Sequence, residues 1–138
     1  MTPCRIAVRS YELDSFGHVN NAVFLNYLET ARSHWLEDMG LSFDSIAAAG
    51  VQIVIARVEI DYRIPLRSRD TVVVNGHLSD YGPASIVWNY RLERESDGAV
   101  VAIAKTTGVC IDPRSGKPKR WVEPFATAFS GAAAPQSP

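Results

Sequence analysis

The sequence predicts an α+β fold in which an antiparallel sheet carries one long helix against a face. Three observations predict it. A single extended apolar stripe of helical period runs through residues 22–40. Four strand-like stretches follow it, joined by short connections of the kind that link antiparallel neighbours. After Ile64 the strands are not separated by the helical patterns that a doubly wound parallel sheet requires.

The elements follow in order. Residues 4–9 alternate Ile6 and Val8 with Arg5, Ala7 and Arg9, the period of a half-buried strand. Residues 11–21, YELDSFGHVNN, mix aromatic, acidic, Gly, His and Asn side chains without period, as a structured loop does. Beyond it Phe24, Leu28, Ala31, Trp35 and Met39 recur at spacings of four, three, four and four, and Tyr27 and Leu36 widen the stripe. Asn20 or Asn21 is placed to accept from the unpaired N–H groups of this helix, and Gly40 to end it in a left-handed conformation. Residues 42–50 read as a short second helix with Ser42 as cap and Gly50 as stop.

In 51–64, Val54, Ala56, Val58, Ile60, Tyr62 and Ile64 fall on one face and Arg57, Glu59, Asp61 and Arg63 on the other. Strands 71–79 and 84–95 come next, joined through Tyr81-Gly82-Pro83, with Ala84, Ile86, Trp88, Tyr90 and Leu92 inward in the second. Asp97-Gly98 supplies the positive φ angles of a tight hairpin. The last strand, 100–111, is apolar on both faces and belongs in the sheet interior. A turn at 113–116 leads to a short terminal helix over 121–129. Residues 1–129 are thus one domain, and 130–138, ending in GAAAPQSP, read as a frayed tail.

Composition narrows the function classes. Fourteen basic against fifteen acidic residues leave a net charge of −1, with no long-range field for polyanions, so no nucleic-acid partner is expected. No apolar run approaches the roughly 20 residues that cross a bilayer, and no apolar signal core opens the chain; the expectation is a cytoplasmic protein without a membrane partner. Cys4 and Cys110 stand far apart, which draws neither a zinc site nor a CxxC motif, and Cys110 in its apolar run reads as a buried, inert thiol. No cofactor or metal is implied.

The loop before the helix concentrates the candidate chemistry: Asp14, Gly17, His18, Asn20 and Asn21 fall within eight positions leading into a helix amino terminus. Free N–H groups and the positive end of the helix dipole stabilise an oxygen that becomes negative in a transition state. Asp14 is close enough in sequence to act on the same carbon as nucleophile or as base for water. The same residues also suit a purely structural turn and cap.

The run Asp14-Ser15-Phe16-Gly17-His18-Val19-Asn20-Asn21, followed by Phe24, Tyr27, Glu29 and Arg32, resembles the D-x-x-G-H-V-N-N-x-x-[YF]-x-x-[YF]-x-E-x-x-R signature of hotdog-fold acyl-CoA thioesterases of the 4-hydroxybenzoyl-CoA thioesterase type. Ile60-Asp61-Tyr62-Arg63-Ile64-Pro65, with Asp70, resembles the second motif of that family, and the likeness covers about residues 4–125. It implies a five-stranded antiparallel sheet wrapped around the long helix, and hydrolysis of acyl-CoA to free acid and coenzyme A. Asp14 then matches the catalytic carboxylate, and the backbone N–H of Asn21 the donor to the thioester oxygen. His18 is a third catalytic candidate whose favoured role, with Asn20, is to order the loop. Family members use the carboxylate as nucleophile or as general base, and the resemblance leaves both open. The related plant acyl-carrier-protein thioesterases carry an Asn two residues after the Asp; Phe16 stands there, so their acid–base network does not transfer.

Gly17, Tyr27 and Tyr62 are the substrate contacts these motifs imply. Arg63, Arg67 and Arg69 alternate along and past the second strand and suit the phosphates of coenzyme A, although a solvated sheet edge reads the same way. Ser85 follows the 81–85 turn where such folds hold the nucleotide end, by resemblance alone. One helix covers only part of five strands, and 51–55 is apolar on both faces, so a homodimer or homotetramer is expected, with the site at the junction. A hotdog dehydratase and a non-catalytic acyl-thioester-binding protein are the rival readings; thiol release distinguishes them from a hydrolase.

Overall fold

A computed structural model describes residues 1–134. Its elements are β1 (Cys4–Ala7), α1 (Val23–Asp38), α2 (Phe43–Ala48), β2 (Gln52–Tyr62), β3 (Thr71–Ser79), β4 (Ser85–Arg94), β5 (Val100–Ile111) and α3 (Phe125–Ala133). The five strands form one antiparallel sheet in the order β1-β3-β4-β5-β2. The sheet curls around α1, as the resemblance implies. β5 is paired on both sides, the interior position expected for it; the face with Ala102, Ala104, Thr106 and Cys110 is buried, and the other carries the exposed Lys105.

α1 buries Phe24, Tyr27, Leu28, Ala31, Trp35 and Leu36, the stripe read from its period. Trp35 is the central knob: its ring stacks on Trp88 at 6.3 Å and lies 5.5 Å from Tyr90. Gly76 makes room for it, because a Cβ there would collide with the Trp35 ring. Gly40 takes φ +73° and stops the helix, its N–H donating to the Glu37 carbonyl at 2.9 Å. At the other end the helix begins at Val23, and the side chain that holds its entry is Asn20, whose Oδ1 accepts from the Ala22 N–H at 2.9 Å. Ser42 and Ser45 cap α2 reciprocally.

Two expectations are corrected. Val54 and Ala56 do not share a face with Val58, Ile60 and Tyr62. The β2–β5 register shifts between Ile55 and Arg57, so Ala56 is an extra residue in a β-bulge. Ile53 and Ile55, opposite Cys110 and Gly108, therefore lie on the helix side with Val58, Ile60 and Tyr62, and Val54 turns to the opposite face. The terminal helix also runs beyond Phe129 to Ala133, which makes residues 130–133 helical rather than tail. Its register is set by Phe125 and Phe129, both buried, with Phe129 edge-on to Trp88 and Trp121, and the small residues that follow continue the helix. The rest of the expected tail, 135–138, lies outside the described residues.

Candidate active site

The loop between β1 and α1 is folded back on itself by backbone pairing. Leu13 bridges Val19, and His18 bridges Arg67, which ties the loop to the segment after β2. Within it the Asp14 N–H donates to the His18 carbonyl at 2.7 Å, and Asp14 Oδ1 accepts from the N–H groups of Phe16 (2.8 Å) and His18 (3.1 Å). Gly17 completes the turn at φ +77°, where a Cβ would be strained. The short side chain of Asp suits such a turn because it can satisfy two amides at once. Its second oxygen, Oδ2, accepts from no donor among the described residues, so one oxygen fixes the carboxylate and the other is free.

The same turn brings the chain back to the start of α1. The Asn21 N–H donates to no acceptor among the described residues, whereas the Asn21 carbonyl accepts from the Tyr62 hydroxyl at 2.9 Å. Tyr62 also stands edge-on to Phe24 at 5.1 Å. Asp14, His18, Asn21, Phe24, Tyr62 and Arg63 together line a cleft of about 200 Å³, closed by Val19, Ile64 and Pro65. A residue with a free carboxylate oxygen and a residue with a free amide N–H just before a helix thus line one small cleft. That pairing can place a nucleophile or water on one side of a carbonyl and a donor at its oxygen. Among the described residues no three His, Cys, Asp or Glu side chains are grouped as metal ligands would be.

The remaining expected contacts divide. Tyr62 and Arg63 are at the cleft. Arg67 is adjacent through its backbone bridge to His18, and its own N–H is held by Asp70 Oδ2 at 2.8 Å. Arg69, at φ +67°, is exposed in the same turn and does not line the cleft. Ser85 does not line it either; its carbonyl accepts from Trp121 Nε1 and the Gly82 N–H. Tyr27 does not line it: it is buried, and its hydroxyl donates to Glu12 Oε1 at 3.0 Å, which braces the loop. Burial, and then the Glu12 carboxylate, push its phenol well above the ordinary range.

Glu12 is the residue that sequence reasoning missed. Only 6% exposed, it takes the Arg9 N–H at 2.7 Å as well as the Tyr27 hydroxyl, and its carbonyl accepts from the Asn20 N–H at 2.9 Å. It therefore clamps the loop at both ends. The signal was a carboxylate two residues from Asp14 and fifteen from a stripe Tyr, which no local period reveals. Both cysteines are buried with their thiols pushed up by burial, an inert state.

The Thioesterase-like superfamily profile matches residues 8–129, a span that holds the whole cleft. The chain belongs to this superfamily. Among the relatives of this thioesterase-like chain, the long-chain acyl-CoA thioesterase FadM of Escherichia coli is 36% identical over 82% of the chain and 85% of its own length. The chloroplastic acyl-acyl carrier protein thioesterase ATL3 of Arabidopsis thaliana is 35% identical over 78% of the chain, which spans only 56% of that longer protein. A solved structure of the hypothetical protein TT1821 from Thermus thermophilus is 30% identical, covers 96% of the chain and 99% of its own, and superimposes with a TM-score of 0.88. The sheet wrapped on α1 is the hotdog arrangement of the thioesterases.

Proposed function

We propose that the protein hydrolyses acyl-CoA thioesters, with Asp14 as nucleophile or general base and the Asn21 N–H as donor to the thioester oxygen. The observation that supports this reading is the shared cleft: Asp14, whose Oδ2 has no donor, and Asn21, whose N–H has no acceptor among the described residues, both line it. Relatives named as acyl-CoA thioesterases support the substrate class. As the carbonyl carbon is attacked, charge gathers on its oxygen, where the Asn21 amide and the positive end of α1 stabilise it. The C–O bond forms and the C–S bond breaks. The departing thiolate collects the proton released from water, whether water attacks directly with Asp14 as base or opens an acyl-Asp14 intermediate in a second step. Arg63 on the cleft wall, and Arg67 beside it, supply cations for the coenzyme A phosphates.

The site is completed by a second copy of the chain in this reading. β2 is an eleven-residue edge strand, and Ile55, Val58 and Tyr62 on its helix side are 36%, 42% and 42% exposed. α1 does not cover them. A self-complementary edge of this length is a pairing surface for a two-fold dimer, which would roof the groove between α1 and β2.

Release of free thiol from a panel of acyl-CoA esters, compared with Asp14→Asn, tests the hydrolysis. The Asn side chain keeps an oxygen for the Phe16 and His18 amides, so the turn persists while the base or nucleophile is lost. Turnover should fall by about 10² to 10⁴-fold at an unchanged melting temperature. Equal rates in the two proteins would remove Asp14 from the reaction.

A further inference from the structure

Glu12 is the one buried carboxylate among the described residues, and the reaction proposed above does not use it. Its Oε1 accepts from the Arg9 N–H at 2.7 Å and the Tyr27 hydroxyl at 3.0 Å, and its Oε2 stands 3.6 Å from the Arg9 guanidinium. Burial offsets much of what such bonds add to stability, and apolar replacement of a buried charge is often neutral. What a bonded carboxylate adds instead is direction, because it holds its partners at fixed angles.

These bonds close a ring around the site. Residues 12–14 and 18–20 are two arms of a short antiparallel ladder. The Asn20 N–H donates to the Glu12 carbonyl at 2.9 Å, Leu13 bridges Val19, and the Asp14 N–H donates to the His18 carbonyl at 2.7 Å. The arm 18–20 is held from outside by the His18 bridge to Arg67 and by the Val19 N–H on the Leu66 carbonyl. From Asn20 the chain passes through Asn21 into α1. Tyr27 lies six residues beyond Asn21, about 9 Å along the helix, and its hydroxyl returns to the ladder at Glu12. Among the described residues this is the one side-chain hydrogen bond between residues 9–20 and α1. The arm that carries Asp14 is therefore fixed on one side by the ladder and on the other by Glu12. Without the Tyr27 bond it can roll about the arm 18–20, and Asp14 then shifts relative to the Asn21 N–H.

We infer that Glu12 is a positioning residue: through Tyr27 it aims the Asp14 carboxylate at the carbonyl held by the Asn21 N–H, and so sets kcat without touching substrate. The inference rests on the thioesterase reading for what Asp14 attacks, whereas the aim of the loop is a geometric claim with its own readout.

Tyr27→Phe removes the hydroxyl and keeps the ring edge-on to Phe24. In thiol release from an acyl-CoA, its kcat should fall about 10- to 100-fold with KM within about twofold, the scale set by a small misplacement of a reacting group. KM is spared because Arg63 and Arg67 belong to the segment after β2, which the bond does not touch. Glu12→Gln keeps an oxygen for both donors and should hold kcat near wild type. Glu12→Leu should fall as Tyr27→Phe does, and the two together no further, because each removes the same bond. In an Asp14→Asn background Tyr27→Phe should leave the residual rate unchanged. A lowered melting temperature with kcat per folded molecule intact, a loss carried by KM, or full additivity with Asp14→Asn would overturn the inference. Should Glu12→Leu not fold, Tyr27→Phe and Glu12→Gln still decide. Residual dipolar couplings of the N–H groups of residues 14–18, set against those of α1, read the aim without chemistry. They should change in Tyr27→Phe and persist in Glu12→Gln; unchanged couplings in Tyr27→Phe would overturn the inference. A wild type that releases no thiol from any acyl-CoA would instead overturn hydrolysis, and the couplings would still decide the aim.

Discussion

Asp14 closes its turn through Oδ1, which leaves Oδ2 without a donor among the described residues and available for the chemistry proposed above. The carboxylate and its loop were legible because Asp, Gly and Asn in fixed order before a helix carry a mechanism. The clamp by Glu12 and Tyr27 was not legible, because two residues that meet across a helix face have no signature in either local segment. A different acidic residue sets part of the acid stability. Arg94, and then the Ala99 N–H, hold Asp97 down to about 2 at the β4–β5 hairpin. Because the folded value lies below the unfolded value of about 3.9, this group's stabilisation is present above roughly pH 4 and is lost as pH falls toward 2. Asp97→Asn should therefore be less stable than wild type at neutral pH, with the two converging in acid; denaturant melts across that range read it, and a gap constant with pH would contradict the assignment.

Among the elements, α1 is the organising one, and its stripe was readable from period alone. Trp35 anchors it over Gly76, Trp88 and Tyr90, so Trp35→Ala should cost about 3–5 kcal/mol, a large share of a typical domain's stability. A melting midpoint lowered by less than about 10 °C would show that the core closes over the gap. β2 was read with its faces wrong at one end. Strict alternation carried Val54 and Ala56 with Val58, but a bulge adds one residue and reverses the phase, and period counting cannot see a residue without a partner. Deleting Ala56 should leave Ile53, Ile55 and Val58 in regular alternation against β5. The shortened chain should fold with a midpoint within about 5 °C of wild type, near 1 kcal/mol, whereas loss of folding would mean the bulge itself is required.

At the scale of the whole molecule, a sheet of five strands meets one long helix, and the order β1-β3-β4-β5-β2 leaves β2 on the outside with apolar side chains in the open. In the dimer proposed above, Val58→Lys sets a charge into the joint. Light scattering should report the wild type at twice the chain mass and the variant at the chain mass, with thiol release falling in step; an unchanged variant mass would place the contact elsewhere. The sequence by itself determined the element types, the helix stripe, the Asp14 loop and the family, because periods, turn residues and a contiguous motif are local properties of the chain. Only the tertiary structure decided that Tyr27 pairs with Glu12, that Ala56 reverses a strand, that Ser85 stands away from the cleft, and that the Trp88 N–H is packed over Gly108. Each of those is a pairing between segments distant in the chain, and which groups satisfy one another there is set by how the sheet closes on the helix, a quantity no local pattern contains.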